Sequence, residues 1–176
     1  MPIPKRLRPP NIDPDEMKRY RTLCDQIELA LENSDGITLD RMISQWVERC
    51  GPTERSDFHY HGSMSQKQFV RLSLWRHPAP VPDLTFDEAL AVADAINSSE
   101  LKDTLEQWAV SWLEANFPGA NPSDLLFYPE DWFGEDREMG EHLTPTQIVR
   151  YLCLASGREL PGTPTDIPLP HPLPER

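Results

Sequence analysis

Few residues in this chain have the type and spacing to do chemistry. His59 and His61 flank Tyr60 with the alternation of a metal-binding pair. A structural or catalytic zinc needs three or four protein ligands, and no third ligand joins these two at a usable spacing. Ser56 and Ser123 each precede an aspartate. Neither lies in the GxSxG elbow that exposes a nucleophilic serine, and no base or oxyanion site converges on them. Cys24, Cys50 and Cys153 are odd in number, form no CxxC and sit in apolar helical settings. They read as reduced core thiols of a cytosolic protein, not as disulfides or metal ligands. The acids from Glu130 to Glu141 lack the spacing of a calcium loop. The expectation is a chain with no catalytic residues, no metal and no cofactor, which works by binding and not as an enzyme.

Composition narrows what it binds. The 176 residues are 38% hydrophobic and 26% charged, enough to bury a core. Mean hydropathy is −0.57, and no apolar run approaches the roughly 18 residues of a membrane span. The first residues, Met1 to Arg6, include bases but no apolar stretch behind them, which argues against a secretory signal. Net charge is −12, the wrong sign for phosphate contacts, so nucleic acid is not expected as a direct partner. The charge is lopsided. Residues 1–82 hold 12 Lys and Arg against 11 Asp and Glu, and residues 83–162 hold 4 against 16. Such asymmetry points to an interaction surface in the second half, facing a basic protein.

The elements that must position such a surface read as helices. In the first half, Met17, Tyr20, Leu23, Cys24, Ile27 and Leu31 recur at the 3.6-residue period, behind the start signal Asp13-Pro14. A second helix follows Thr38, with Leu39, Met42, Ile43, Trp46, Val47 and Cys50 inward, and Gly51-Pro52 stops it. A last helix runs from about Ser65 to Trp75, with Phe69, Leu72 and Trp75 facing inward. In the second half, Thr85 caps a helix carrying Phe86, Ala89, Leu90, Ala93 and Ile96. Ser98 or Ser99 caps the next, carrying Leu101, Leu105, Trp108, Ala109 and Trp112. Thr144-Pro145 opens the last, with Ile148, Leu152 and Ala155 inward and Gly157 at its end. No segment alternates with period two, so strands are not expected. Proline clusters punctuate these helices. They predict a disordered tail over 1–13, a helical domain over 14–76 and a stiff linker over 77–83. A second helical domain follows over 84–161, then a disordered tail over 162–176.

The halves repeat. Ser56, Asp57, Phe58 and Tyr60 lie over Ser123, Asp124, Leu125 and Phe127. Leu39, Ile43, Gln45 and Trp46 lie over Leu101, Leu105, Gln107 and Trp108. Ser65, Phe69, Val70 and Arg71 lie over Thr144, Ile148, Val149 and Arg150. Order is kept and the insertions fall between helices, where chains tolerate them. The Ser-Asp-apolar-X-aromatic piece is too short for a full helix. It predicts a single turn presenting its aromatics at a surface.

Ser123-Asp124-Leu125-Leu126-Phe127-Tyr128-Pro129 resembles the Ser-Asp-Leu-Ile-Tyr-Tyr-Pro signature of the immunity proteins that neutralise colicin and pyocin nucleases. Thr144-Pro145-Thr146-Gln147-Ile148-Val149 and Leu84-Thr85-Phe86-Asp87-Glu88-Ala89 are similar to the starts of that family's last and first helices. The likeness covers about residues 83–162, with residues 14–76 as a diverged copy. It implies an all-α fold of two tandem small four-helix bundles, each with a short third helix. It also implies inhibition of a cognate basic nuclease toxin by binding beside its active site, with no membrane or small-molecule substrate. In the family the short helix supplies shared affinity, which falls here on Asp124, Phe127, Tyr128 and Pro129. The second helix supplies specificity, which falls on the face of Lys102, Glu106, Val110 and Leu113. Phe127 replaces the family's first tyrosine and lacks its hydroxyl, which points to a diverged nuclease. The loop from Glu130 to His142 adds Glu130, Asp131, Glu135 and Asp136, with Trp132 and Phe133 expected to be exposed beside them as partner contacts. The competing readings are a generic helical adaptor and an acidic DNA-mimic regulator. A DNA mimic would spread its acids over both halves.

Overall fold

A computed structural model describes residues 2–33, 36–98, 101–134 and 142–174. The fold is all-α, with no strand among the described residues. The chain divides into two compact units, Pro9–His77 and the paired segments Met1–Arg8 and Pro78–Arg176. No helix among the described residues is long and apolar enough to cross a membrane.

The first unit contains α1 (Pro14–Glu32), α2 (Gly36–Cys50), a short 3-10 helix (Arg55–Gly62) and α3 (Gln66–Trp75). Asp13 caps α1 through the Asp15 amide, with Pro14 in the first turn. Ser65 and Gln68 form a capping box on α3. Each satisfies amides that a helix start leaves unpaired. Trp46 sits at the centre, fully buried. It stacks on Phe69 at 5.5 Å and meets Tyr20 and Phe58 edge-on at 5.7 and 5.2 Å. Arg49 ties the helices together, pairing with both Glu16 carboxylate oxygens at 2.6 and 3.1 Å and donating to the Leu74 carbonyl at 3.1 Å. On α3 the buried stripe is Phe69, Val70 and Leu74, with Leu72 and Trp75 only partly covered.

The second unit contains α4 (Phe86–Asn97), α5 (Asp103–Asn116), α6 (Pro122–Phe127), α7 (Pro129–Phe133) and α8 (Pro145–Ser156). Thr85 with Glu88, and Thr144 with Gln147, form capping boxes on α4 and α8. Gly157 closes α8 in the left-handed conformation at φ 69°, which costs glycine nothing sterically. Ser98 does not cap α5. It ends α4, Ser99 lies outside the described residues, and α5 starts behind Lys102. The first unit runs two long helices, one short 3-10 helix and a final helix, whereas the second has two short helices, α6 and α7, between its second and last long helices. Trp46 and Trp108, Phe58 and Leu125, Phe69 and Ile148, and Val70 and Val149 are buried at matching places.

The proline-rich segments are not free tails. Residues 2–8 belong to the second unit, where Ile3 and Leu7 are buried beside a 3-10 turn over Lys5–Leu7. Residues 9–13 belong to the first, where Ile12 packs on the core and Trp75 donates to the Pro10 carbonyl at 3.0 Å. The linker is also docked from Pro78 onward. Buried Asn116 accepts from the Val81 amide at 2.8 Å, and Arg158 donates to the Asn116 side chain and to the Val81 carbonyl. Buried Ile3 and Leu7, packed Ile12 and hydrogen bonds to backbone atoms of Pro10 and Val81 hold segments whose prolines limit their freedom when undocked.

The N-terminal segment is clipped by charge. Arg6 forms a two-pronged pair with Glu88 at 2.6 Å on both arms and reaches Asp83 at 2.9 Å. The Arg6 guanidinium holds the Glu88 carboxyl at about 2, below its ordinary 4.5. A depressed carboxyl stabilises the folded form fully above its unfolded pKa, and that stabilisation is lost as pH falls through the folded value. The docked segment is therefore expected to loosen between about pH 4.5 and 2, with a larger undocked fraction at the acid end. Methyl resonances of Ile3 and Leu7 followed through an acid titration test this. Glu88→Gln, which keeps an oxygen for the Thr85 cap, should already be loosened at neutral pH. An unchanged titration in that variant would rule the clip out.

All three thiols are free and buried. Burial pushes Cys24 and Cys50 up to about 12 and Cys153 up to about 11. Reactivity needs thiolate and access. At pH 8 no thiol of the native protein should react with an aromatic disulfide reagent within minutes, and all three should react in denaturant. Rapid labelling of one thiol in the native state would contradict this packing.

Candidate functional site

The site is built on the break between α6 and α7. Proline is favoured at the first position of a helix, where its missing amide is not needed, and both short helices use it, at Pro122 and Pro129. Asn121 enters α6 in the left-handed conformation at φ 50°, which asparagine tolerates better than most residues. Tyr128 stands at the junction with φ −138° and ψ 57°. Its amide donates to the Asp124 carbonyl at 2.8 Å, and its carbonyl accepts from the Trp132 amide at 3.1 Å.

Buried anchors on both sides hold this turn. Leu125 is buried from α6. Trp132 is buried from α7, where its indole donates to the Ala120 carbonyl at 2.7 Å. Trp132, Phe133 and Tyr151 pack edge-to-face, with ring centroids 4.7 to 5.6 Å apart. The turn thereby leaves Phe127 46% and Tyr128 60% exposed, two adjacent aromatics on a rigid base.

Asp124, Glu130 and Asp131 are exposed around the pair, and Pro129 is half-buried. Asp124 also lines an open depression of about 390 Å³ with Glu114, Asn121 and Ser123. Two carboxylates on one polar depression suit an incoming Lys or Arg. Sequence reasoning missed Glu114, which lies on another element, eight residues before the turn begins. The expected specificity face of α5 is only partly available. Lys102 is exposed, and Glu106 and Val110 are partly exposed.

Three sequence expectations are corrected here. Leu113 is fully buried. α6 packs against α5, and the face that is partly open at Glu106 and Val110 is closed at Leu113. Trp132 and Phe133 are also buried. Pro129-Glu130-Asp131, read as loop, is a helix start with acids in its first turn, and it carries the next two residues inward. In the first unit the short helix does not present its aromatics. Phe58 is buried, and Tyr60 is only 6% exposed. Tyr60 stacks on Phe69 at 4.3 Å, and its hydroxyl donates to Glu28. Glu135 and Asp136 lie outside the described residues. His59 and His61 are exposed, and no group of three potential metal ligands occurs among the described residues.

Comparisons with models of protein families, with curated proteins and with solved structures find no match to this chain.

Proposed function

We propose that this chain is a bacteriocin-type immunity protein of two tandem small four-helix bundles, each with a short third helix, which in the second unit is broken at Tyr128 into α6 and α7. It binds and inhibits a cognate basic nuclease toxin through its second unit and is not an enzyme. One contrast carries the reading. Phe127 and Tyr128 project from a buttressed turn beside Asp124, whereas Tyr60, at the place matching Phe127, is taken into its own core. Aromatics on rigid supports dominate interface hot spots because they bring large area at little entropy cost. The acidic excess of residues 83–162 suits fast capture of a protein that must itself be basic to hold nucleic acid. The contact surface is Asp124, Phe127, Tyr128 and Pro129, extended by Glu106 and Val110 on α5 and by Glu130 and Asp131 on α7. Glu135 and Asp136, outside the described residues, belong to the same acidic half of the sequence. The protein acts in the cytoplasm, ahead of the toxin's access to nucleic acid.

The test is inhibition. The gene neighbourhood is searched for a nuclease toxin, which is mixed with the full-length protein while cleavage of DNA and of RNA is followed; absence of any such neighbour counts against the reading. Stoichiometric loss of cleavage is expected. Cleavage that continues unimpaired at a tenfold molar excess rules the reading out.

A further inference from the structure

The segment Ile167-Pro168-Leu169-Pro170-His171-Pro172-Leu173-Pro174 places proline at every second position. Each residue is therefore either a proline, with φ held near −65°, or the residue before one, which is pushed to the extended region. The segment is stiffened as polyproline II before it touches anything. It is nonetheless seated on the second unit. Tyr151 on α8 donates its hydroxyl to the His171 carbonyl at 2.6 Å and accepts the His171 amide at 2.9 Å. Gln147, one turn earlier on α8, donates its side-chain amide to the Pro168 carbonyl at 3.0 Å. The His171 ring lies 5.0 Å from Phe133 of α7. Two residues spaced one turn apart on a helix thus read two backbone carbonyls three residues apart on the strap.

We propose that α7 and α8 form a docking groove for X-Pro-X-Pro peptides, and that residues 167–174 are its resident ligand, bound in cis. The chemistry is that of proline-rich peptide recognition. An aromatic wall and a few side-chain hydrogen bonds meet a ligand whose carbonyls point out and whose ordering cost is already low. The polar contacts of Gln147 and Tyr151 go to backbone atoms, so the groove reads conformation and proline spacing more than side-chain identity. A peptide of the same pattern takes the groove when the strap is lifted. This inference does not depend on the immunity reading.

The probe is a synthetic peptide of residues 163–174, labelled at the His171 amide nitrogen. It is titrated into two full-length proteins, the natural chain and a loosened chain carrying Pro168→Gly, Pro170→Gly and Pro172→Gly. Those changes leave Gln147, Tyr151 and Phe133 in place. The loosened chain should bind the peptide saturably. The natural chain should need at least about tenfold more, because its own strap competes at an effective concentration near millimolar. Adding Tyr151→Phe to the loosened chain removes both bonds to His171 and should weaken binding about fivefold or more. Failure of the loosened chain to bind while its far-UV circular dichroism matches the natural chain's overturns the proposal. So does equal binding by both chains. Amide exchange at His171 in the natural chain is the second measurement. It should be slowed at least about tenfold relative to the free peptide, and exchange at the free-peptide rate likewise overturns the proposal.

Discussion

Tyr128→Ala is expected to weaken binding of the proposed nuclease partner by about 2–4 kcal/mol, or roughly thirtyfold to a thousandfold, the usual cost of losing a central aromatic anchor. The tyrosine is 60% exposed in the free protein and sits on a turn held by buried Leu125 and Trp132. The substitution therefore removes contact area without disturbing the fold, and an unchanged thermal unfolding midpoint should accompany the loss. Asp124→Ala should act in the same direction. His61→Ala changes the first unit's matching position, which is also exposed, and should alter affinity by less than about 1 kcal/mol. Titration of each variant against the nuclease by calorimetry decides it. A large loss from His61→Ala with none from Tyr128→Ala would assign the two units the wrong way round.

Trp46→Ala should destabilise the first unit by about 3–5 kcal/mol, the range for deleting a buried large aromatic. Tyr20, Phe58 and Phe69 all close on this ring, so its removal leaves a cavity that three rigid neighbours cannot collapse into. The indole N–H meets no acceptor among the described residues. Leaving such a group buried itself costs about 1–3 kcal/mol. Trp46→Phe, which removes that donor and keeps most of the ring, should therefore be far milder than Trp46→Ala. Exchange of the slowest amides in α1 and α3 measures both. Equal losses from Phe and Ala would mean that the indole N–H is satisfied after all.

The helices were largely legible in the residues because their signals are local. Asp13-Pro14, Ser65 with Gln68, Thr85 with Glu88, Thr144 with Gln147, and Gly157 act on amides and carbonyls within a turn of themselves. The buried stripe of α1 likewise follows from the 3.6-residue period alone. The same is true of the short piece between the long helices and of the concentration of acid in the second half. Each of these needs only a residue and its near neighbours in the chain.

Exposure was decided elsewhere. Phe127 and Tyr60 occupy matching places in the repeat, yet one projects and the other is buried, because Phe69 and Glu28 receive the Tyr60 ring and hydroxyl. Leu113 continues the partly open face of α5 in sequence but is fully buried in the fold, where α5 packs against α4 and α6. Trp132 and Phe133 read as loop contacts until Ala120 and Tyr151, far along the chain, supply an acceptor and a packing partner. The proline-rich ends read as free tails in sequence, yet Arg6 finds Glu88 and His171 finds Tyr151 across separations of 82 and 20 residues. Local sequence sets which backbone conformation a segment adopts. Whether its side chains face solvent depends on what is folded against them, and that is a property of contacts between distant parts of the chain.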